Sequence, residues 1–326
     1  MEVKLSLLVF PLLFSTIDHQ WMDKAFVQRL FNLFIAGTIL SCLLCIGIAL
    51  NKYIGGADFT VFYYKELSIF HHPSYMAMYI NFAVVIILYK LVSRWNSYSP
   101  GWKVSWLALL IFFNVFIITL ASKAGIISLG LVYLIAVSYV IARKKFSLSW
   151  VIGLMLAALA FLYMFFPYSY NRMTVARAAV EQEELDKEST EGSVLRMLIW
   201  QSSFEILEDH FLFGVGTGDV ANALMEKYEE KGITLGVEQR LNAHNQFLQI
   251  WLAIGIPGLI TLLLMLLLPA WQAFRRYNLV YFLFLFIMAF NFIFESMLEA
   301  QSGVVFYAFF NMFLFIAKDK VESSGS

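Results

Sequence analysis

Charge is scarce in this chain. Of its 326 residues only 14% are Asp, Glu, Lys or Arg, while 60% are hydrophobic and 17% aromatic; soluble domains carry about 25% charge. Too few polar side chains remain to cover a water-facing surface, so the chain is an integral membrane protein. A basic excess is missing as well: 23 Lys and Arg balance 23 Asp and Glu, which excludes the electrostatic footprint of a nucleic-acid binder. Cysteine is confined to Cys42 and Cys45 within one apolar run, a pattern that makes neither a disulfide framework nor a metal site. The chain has no Asp-x-Asp motif, no internal repeat of solenoid or propeller period, and no pseudo-symmetric pair of broken helices of the kind inverted-repeat transporters show. Its opening, MEVKLSLLVFPLLFST, does not match a cleavable signal peptide cleanly.

What the chain does have is long apolar runs. Crossing about 30 Å of hydrocarbon takes roughly 20 helical residues, and runs near 4–16 (short), 30–52, 74–92, 104–121, 124–142, 149–166, 246–269, 279–296 and 301–317 give eight or nine spans. No alternating pattern suggests a β-barrel. The fold class read from this is all-α, a polytopic transmembrane helix bundle with one large helical outer loop. Lys90, Arg94 and Lys103, then Arg143, Lys144 and Lys145, then Arg275 and Arg276, then Lys318 and Lys320 fall at alternate ends of successive spans, and these ends are cytoplasmic by the positive-inside rule. The opposite side receives the 53–73 loop, a tight turn at Ser122–Lys123, the segment from about 168 to 243, and a turn with Glu295, Glu299 and Gln301. Residues 168–243 hold seven Lys or Arg against fourteen Asp or Glu. This parity puts the amino terminus outside if 4–16 crosses, so either upstream spans precede it or 4–16 does not cross. The expected division is an amino-terminal bundle (1–166), an outer loop with an interfacial helix (167–243), carboxyl-terminal membrane helices (244–317) and a tail (318–326) whose SSGS resembles an expression scar.

Several outer features carry chemistry. EQEELDKESTEG (181–192) is polar and acidic and reads as a loop. After it, Ser193 is expected to cap a helix in which Arg196, Trp200, Phe204 and Leu207 recur at helical spacing, lying on the membrane with its aromatic face toward the headgroups. Arg196 there is either a ligand for phosphate or a cation snorkelling to lipid. FGVGTGD (213–219) has the glycines of a nucleotide loop but neither a preceding strand nor a P-loop lysine, and reads as a backbone turn. His244 and Asn245 stand at the outer mouth of a long apolar run, where the positive end of a helix dipole favours a bound anion. Lys123 begins a helix, a position unfavourable to a cation unless a phosphate shares it; it is either a phosphate ligand or a lysine snorkelling at the interface. His71 and His72 precede Pro73 and Tyr75, but adjacent histidines lack the spacing of zinc ligands, so no metal is expected. Glu295 and Glu299 are one helical turn apart and within range of pairing with Lys123 or Arg196.

The outer cations, His244 and the two glutamates share one side of the membrane by loop charge alone. No nucleotide is available there, so a group transfer on that face must draw on a lipid-borne leaving group. Cations for a departing diphosphate beside a base for an attacking hydroxyl suit that chemistry.

At these residues the chain resembles the O-antigen ligase and O-antigen polymerase superfamily of membrane glycosyltransferases. The resemblance covers roughly 60–317 and rests on HPSY (72–75), SKAG (122–125), RMLIW (196–200) followed by FGVGTG, then AHNQFLQIWLAIGIPG (243–258), and ES, LE and QSG between 295 and 303. It implies a GT-C-like glycosyltransferase of the bacterial inner membrane with its active site on the periplasmic side. The transfer would be inverting and metal-independent, need no cofactor, and move a glycan from undecaprenyl pyrophosphate to a hydroxyl of lipid A-core, another glycan or a protein. The resemblance makes His244 and Arg196 catalytic, His244 either as the base for the acceptor hydroxyl or as a further diphosphate ligand, and assigns the donor diphosphate to Lys123, Ser122, Arg196 and Arg240. His72, Tyr75, Trp200, Asn245, Glu295, Glu299 and Gln301 would support them. The turn residue that is commonly Arg in the family is Lys123 here, which keeps the charge but not the bidentate fork. Ligase is favoured over polymerase and protein O-oligosaccharyltransferase because the outer segment is single and compact. A transporter or flippase of lipid-linked sugars is the reading from another class; it would place ionisable residues along a path within the spans.

Overall fold

The computed structural model describes residues 2–18, 22–142 and 192–317. The expected span at 149–166, the basic cluster at 143–145, the acidic stretch up to 191 and the tail from 318 lie outside the described residues. Hydrocarbon offers backbone amides no partner, so long apolar runs must satisfy them internally as helices. In chain order these are α1 (Ser6–Thr16), α2 (Lys24–Ile54), α3 (Tyr64–Leu67), α4 (Pro73–Arg94), α5 (Pro100–Thr119), α6 (Lys123–Ala142), α7 (Gly192–His210), α8 (Val220–Lys231), α9 (Thr234–Glu238), α10 (Gln246–Ile254), α11 (Ile256–Arg275), α12 (Leu279–Phe294) and α13 (Gln301–Ile316). No strand occurs among the described residues.

Four helices, Lys24–Ile54, Pro73–Ser97, Pro100–Thr119 and Ile256–Arg275, are long and apolar enough to cross a membrane. Val3–Thr16, Leu279–Phe294 and Gln301–Ile316 are apolar but shorter, and α6 is apolar over Lys123–Tyr139. A helix of 16 residues, as α12 and α13 are, covers about 24 Å at 1.5 Å per residue, less than a full hydrocarbon core. Length and composition give four candidate spans among the described residues; the eight or nine expected are counted over the whole chain.

One expected span is divided. The apolar run 246–269 breaks at Gly255, whose φ of +73° and ψ of −158° end α10 and turn the chain into α11. A Cβ at this position would lie 2.1 Å from the Leu212 carbonyl oxygen, so both the backbone conformation and the close approach require glycine.

The residues divide into two compact units, one from 1–158, 269–291 and 301–326, the other from 159–268 and 292–300. In the first, α1 packs on α13 through Phe10 and Phe14, whose rings lie 5.5 and 5.8 Å from that of Phe309. Phe34, Phe82, Phe284, Phe306 and Phe310 interlock at ring distances of 4.9–6.0 Å across α2, α4, α12 and α13. Small residues let α4 and α6 touch: a Cβ on Gly125 would sit 2.4 Å from that of Ala77, and Asn81 donates to the Gly125 carbonyl at 3.0 Å.

In the second unit, Val194, Leu195, Leu198, Ile199 and Leu207 of α7 pack with Leu224 and Tyr228 of α8 and Leu248 and Leu252 of α10. The apolar face of α7, expected against headgroups, thus forms a protein core, with Trp200 partly buried on it and Phe204 left 51% exposed. Ser193 lies inside α7, which begins one residue earlier, rather than at its cap. Glu205 of α7 is held by Lys231 and, at 3.4 Å, by Lys227 of α8. The hydrogen bond from Lys231, above all, holds its carboxyl below the usual carboxylate range.

Candidate functional site

The site in the second unit is built around the segment LNAHNQFLQ (241–249). His244 adopts φ +44°, a left-handed conformation that L-residues rarely take and histidine takes more often than most. Its neighbours hold it there. The His244 amide donates to Asn242 Oδ1 at 3.0 Å, the Ala243 amide to Gln249 Oε1 at 3.1 Å, and Trp200 Nε1 to the Ala243 carbonyl at 3.1 Å. Asn245 caps α10, its Oδ1 accepting from the amides of Phe247 and Leu248 at 2.9 and 3.1 Å, which satisfies donors that a helix start leaves open.

Glu295 reaches the same place from the turn after α12. The turn is tied down by Gln246, whose Oε1 accepts from the Leu298 amide at 2.6 Å. With a side chain only 7% exposed, the Glu295 carboxylate needs charge compensation. Arg196 supplies it, Nη2 donating to Oε1 at 2.5 Å. The other carboxylate oxygen, Oε2, lies 3.0 Å from His244 Nδ1. One buried carboxylate therefore joins the cation of α7 to the imidazole ahead of α10.

This geometry assigns roles within the trio. An ionised carboxylate accepts, so Nδ1 is the donor of that contact, which in the neutral tautomer leaves the ring's lone pair on Nε2. Arg196 also donates from Nε to the Phe294 carbonyl at 3.0 Å and from Nη1 to the Gly192 carbonyl at 3.3 Å. A guanidinium has five N–H donors; these three bonds leave two, one on each terminal nitrogen, for an anionic ligand. The side chains of Arg196 and His244 are 25% and 24% exposed, so a ligand can reach both. The arrangement suits proton abstraction at Nε2 beside a cation held in fixed orientation.

Of the residues singled out in the sequence, Arg196, Trp200, His244, Asn245 and Glu295 meet in this frame. Arg240 is an exposed residue of the turn leading to it, at φ +46°. Glu299 lies half-buried in the 3₁₀ turn Met297–Glu299. Lys123, Ser122, His72, Tyr75 and Gln301 belong to the first unit. Lys123 is the first residue of α6, with Ala121 at φ +47° before it and the Ser122 hydroxyl accepting from the Gly125 amide at 3.2 Å. His72 caps α4, its Nδ1 accepting from the Ser74 amide at 3.4 Å. Gln301 starts α13. The glycine-rich segment is a turn: Gly214 and Gly216 have φ of +68° and +100°, and the Val215 amide donates to the Leu252 carbonyl at 2.7 Å. Among the described residues no group of three or more His, Cys, Asp or Glu is placed to hold a metal ion.

Asn242, Gln246 and Gln249 were not legible as site residues, although amides in an otherwise apolar run were the available signal. A family model described as O-antigen ligase matches residues 106–263, which include Lys123, Arg196 and His244. No curated protein matches the chain.

Proposed function

The chain belongs to the O-antigen ligase family, and on that premise we propose that it moves a glycan from undecaprenyl pyrophosphate to an acceptor hydroxyl with His244 as the base. Membership supports an O-antigen ligase- or polymerase-like glycosyl transfer in a membrane; donor, acceptor and mechanism are our reading. The observation that carries it is the Arg196–Glu295–His244 trio, which holds a proton acceptor and a cation together on one buried carboxylate.

In this reading Nε2 of His244 takes the proton of the acceptor hydroxyl as its oxygen bonds to the anomeric carbon. The bond from that carbon to the phosphate oxygen breaks on the opposite face, the electron pair leaves with the lipid diphosphate, and the configuration inverts. Developing negative charge on the diphosphate is met by the two remaining N–H donors of Arg196, with Arg240 as a further cation. For Lys123 and Ser122 the proposal rests on the first unit alone, where a cation at the positive end of the α6 dipole suits a phosphate. We assign the transfer to the periplasmic face of the bacterial inner membrane, to a GT-C-like scaffold, to no metal, and to lipid A-core as the favoured acceptor.

The test is transfer by purified protein in detergent, from a defined lipid-linked glycan to candidate acceptors, with EDTA present. His244→Ala and Arg196→Ala should each abolish transfer and release of undecaprenyl pyrophosphate while the folded protein stays in the membrane. Full activity of both variants would overturn the assignment, and a transporter would release no undecaprenyl pyrophosphate at all.

A further inference from the structure

Next to the candidate site, the second unit exposes apolar side chains that its own core does not use. Phe211, Leu212 and Phe213 follow directly on α7 and are 50%, 59% and 78% exposed; Ile254 beside them is 42% exposed. Three consecutive large apolar residues facing outward mark a contact surface rather than ordinary scatter.

Their backbone is fixed. The Leu212 carbonyl accepts from the Ile256 amide at 3.1 Å, and the Phe211 carbonyl accepts from Trp251 Nε1 at 3.0 Å. Glycines on both sides make the approach this close: a Cβ on Gly255 would lie 2.1 Å from the Leu212 oxygen, and one on Gly214 would lie 2.4 Å from the Leu252 oxygen. The Phe211 ring packs 5.3 Å from that of Trp251. The tip is thus riveted to the junction of α10 and α11.

The length of α11 bears on the depth of that junction. The helix Ile256–Arg275 is a candidate membrane span of 20 residues, and at 1.5 Å per residue it is about 30 Å long, the thickness of the hydrocarbon itself. The whole of α11 is needed to cross, so Ile256 stands at one edge of the hydrocarbon. Outward-facing residues of the same helix, Ile260, Leu263, Leu264, Leu267 and Leu268, are 37–61% exposed and form its lipid face. A tip hydrogen-bonded to Ile256 sits at the level where that face begins.

We infer that Phe211, Leu212 and Phe213 form an interfacial anchor whose partner is the lipid bilayer, seated at the boundary between acyl chains and headgroups. The anchor fixes the height of the second unit against the membrane and so holds Arg196 and His244 at a set distance from the headgroup plane, where a lipid-borne phosphate lies. The last clause rests on the proposed function; the lipid contact does not.

The test uses the full chain in phospholipid vesicles, with Phe213→Cys carrying an environment-sensitive fluorophore. Cys42 and Cys45 are buried and do not compete for the label. A label at Glu229→Cys, an exposed position on α8, is the water-facing control, and thermal unfolding confirms that both variants fold. The label at 213 should be quenched by lipid spin labels placed near the headgroup end of the acyl chain, less by labels near the methyl end, and shielded from aqueous iodide. Iodide quenching equal to that at 229 would overturn the inference. So would iodide protection without quenching by any lipid label, which would mean that a second copy of the chain or another protein covers the tip. No glycan enters this experiment, so its result is separate from that of the transfer assay.

Discussion

Glu295 Oε2 and His244 Nδ1 are 3.0 Å apart although 51 residues separate them in the chain. The carboxylate orients the imidazole through Nδ1, and its other oxygen accepts from Arg196.

Glu295→Gln preserves the size of the side chain and removes its charge. The proton on Nδ1 is then no longer favoured and Arg196 loses its counter-charge. We expect kcat to fall by about 10²-fold or more, with KM for the lipid-linked donor little changed. Steady-state kinetics on protein of matched thermal stability measures this, and an unaltered kcat would remove Glu295 from the mechanism.

Trp200→Phe keeps the ring in the core and deletes one donor. The Ala243 carbonyl loses its partner next to His244, at a cost of about 1–3 kcal/mol for a buried unsatisfied group. Unfolding in detergent should register the loss, accompanied by a fall in kcat. Phe204→Ala, at an exposed position on the same helix, should leave stability within about 0.5 kcal/mol of the parent.

Gly255→Ala combines a positive φ with a backbone oxygen in the way. The conformation alone, in a region open essentially to glycine only, costs about 1–3 kcal/mol, and the Leu212 carbonyl must move as well, so the yield of folded protein should drop. Gly130→Ala is the contrast. No atom lies within 4 Å of its added Cβ, and inside α6 the change should be neutral or stabilising by up to about 1 kcal/mol. Comparable loss in both variants would refute the packing argument.

Glu205 gives a pH test that does not involve the site. Its pKa is lowered from an ordinary 4.5 by Lys231 and Lys227. The folded state thus binds the proton less readily than the unfolded chain. The stabilisation is present above that ordinary value and is lost as pH falls through the lowered one. The difference in Tm between the parent and Glu205→Gln should be visible at neutral pH and should shrink as pH falls below the ordinary carboxylate range. A gap that does not change with pH would show that the lysines do not act through charge.

Composition alone established that the chain is a membrane protein. Long apolar runs in a solvent without hydrogen-bonding partners have one way to satisfy their amides, so the helices and their approximate limits could be read directly. His244 and Arg196 were legible because cations and imidazoles are rare against such a background. Tertiary structure decided the rest. LAIGIPG (252–258) has the same apolar composition whether it continues a helix or breaks one; the Leu212 carbonyl, brought in from 43 residues earlier, leaves room only for glycine at 255 and so sets the break. The roles of Asn242, Gln246 and Gln249 depend on which amides face them, and spacing along the chain does not give that. The partner of His244 was open for the same reason: loop charge predicts Glu295 and Arg196 on one side of the membrane, but only the fold sets the carboxylate of the turn after α12 between the imidazole and the guanidinium.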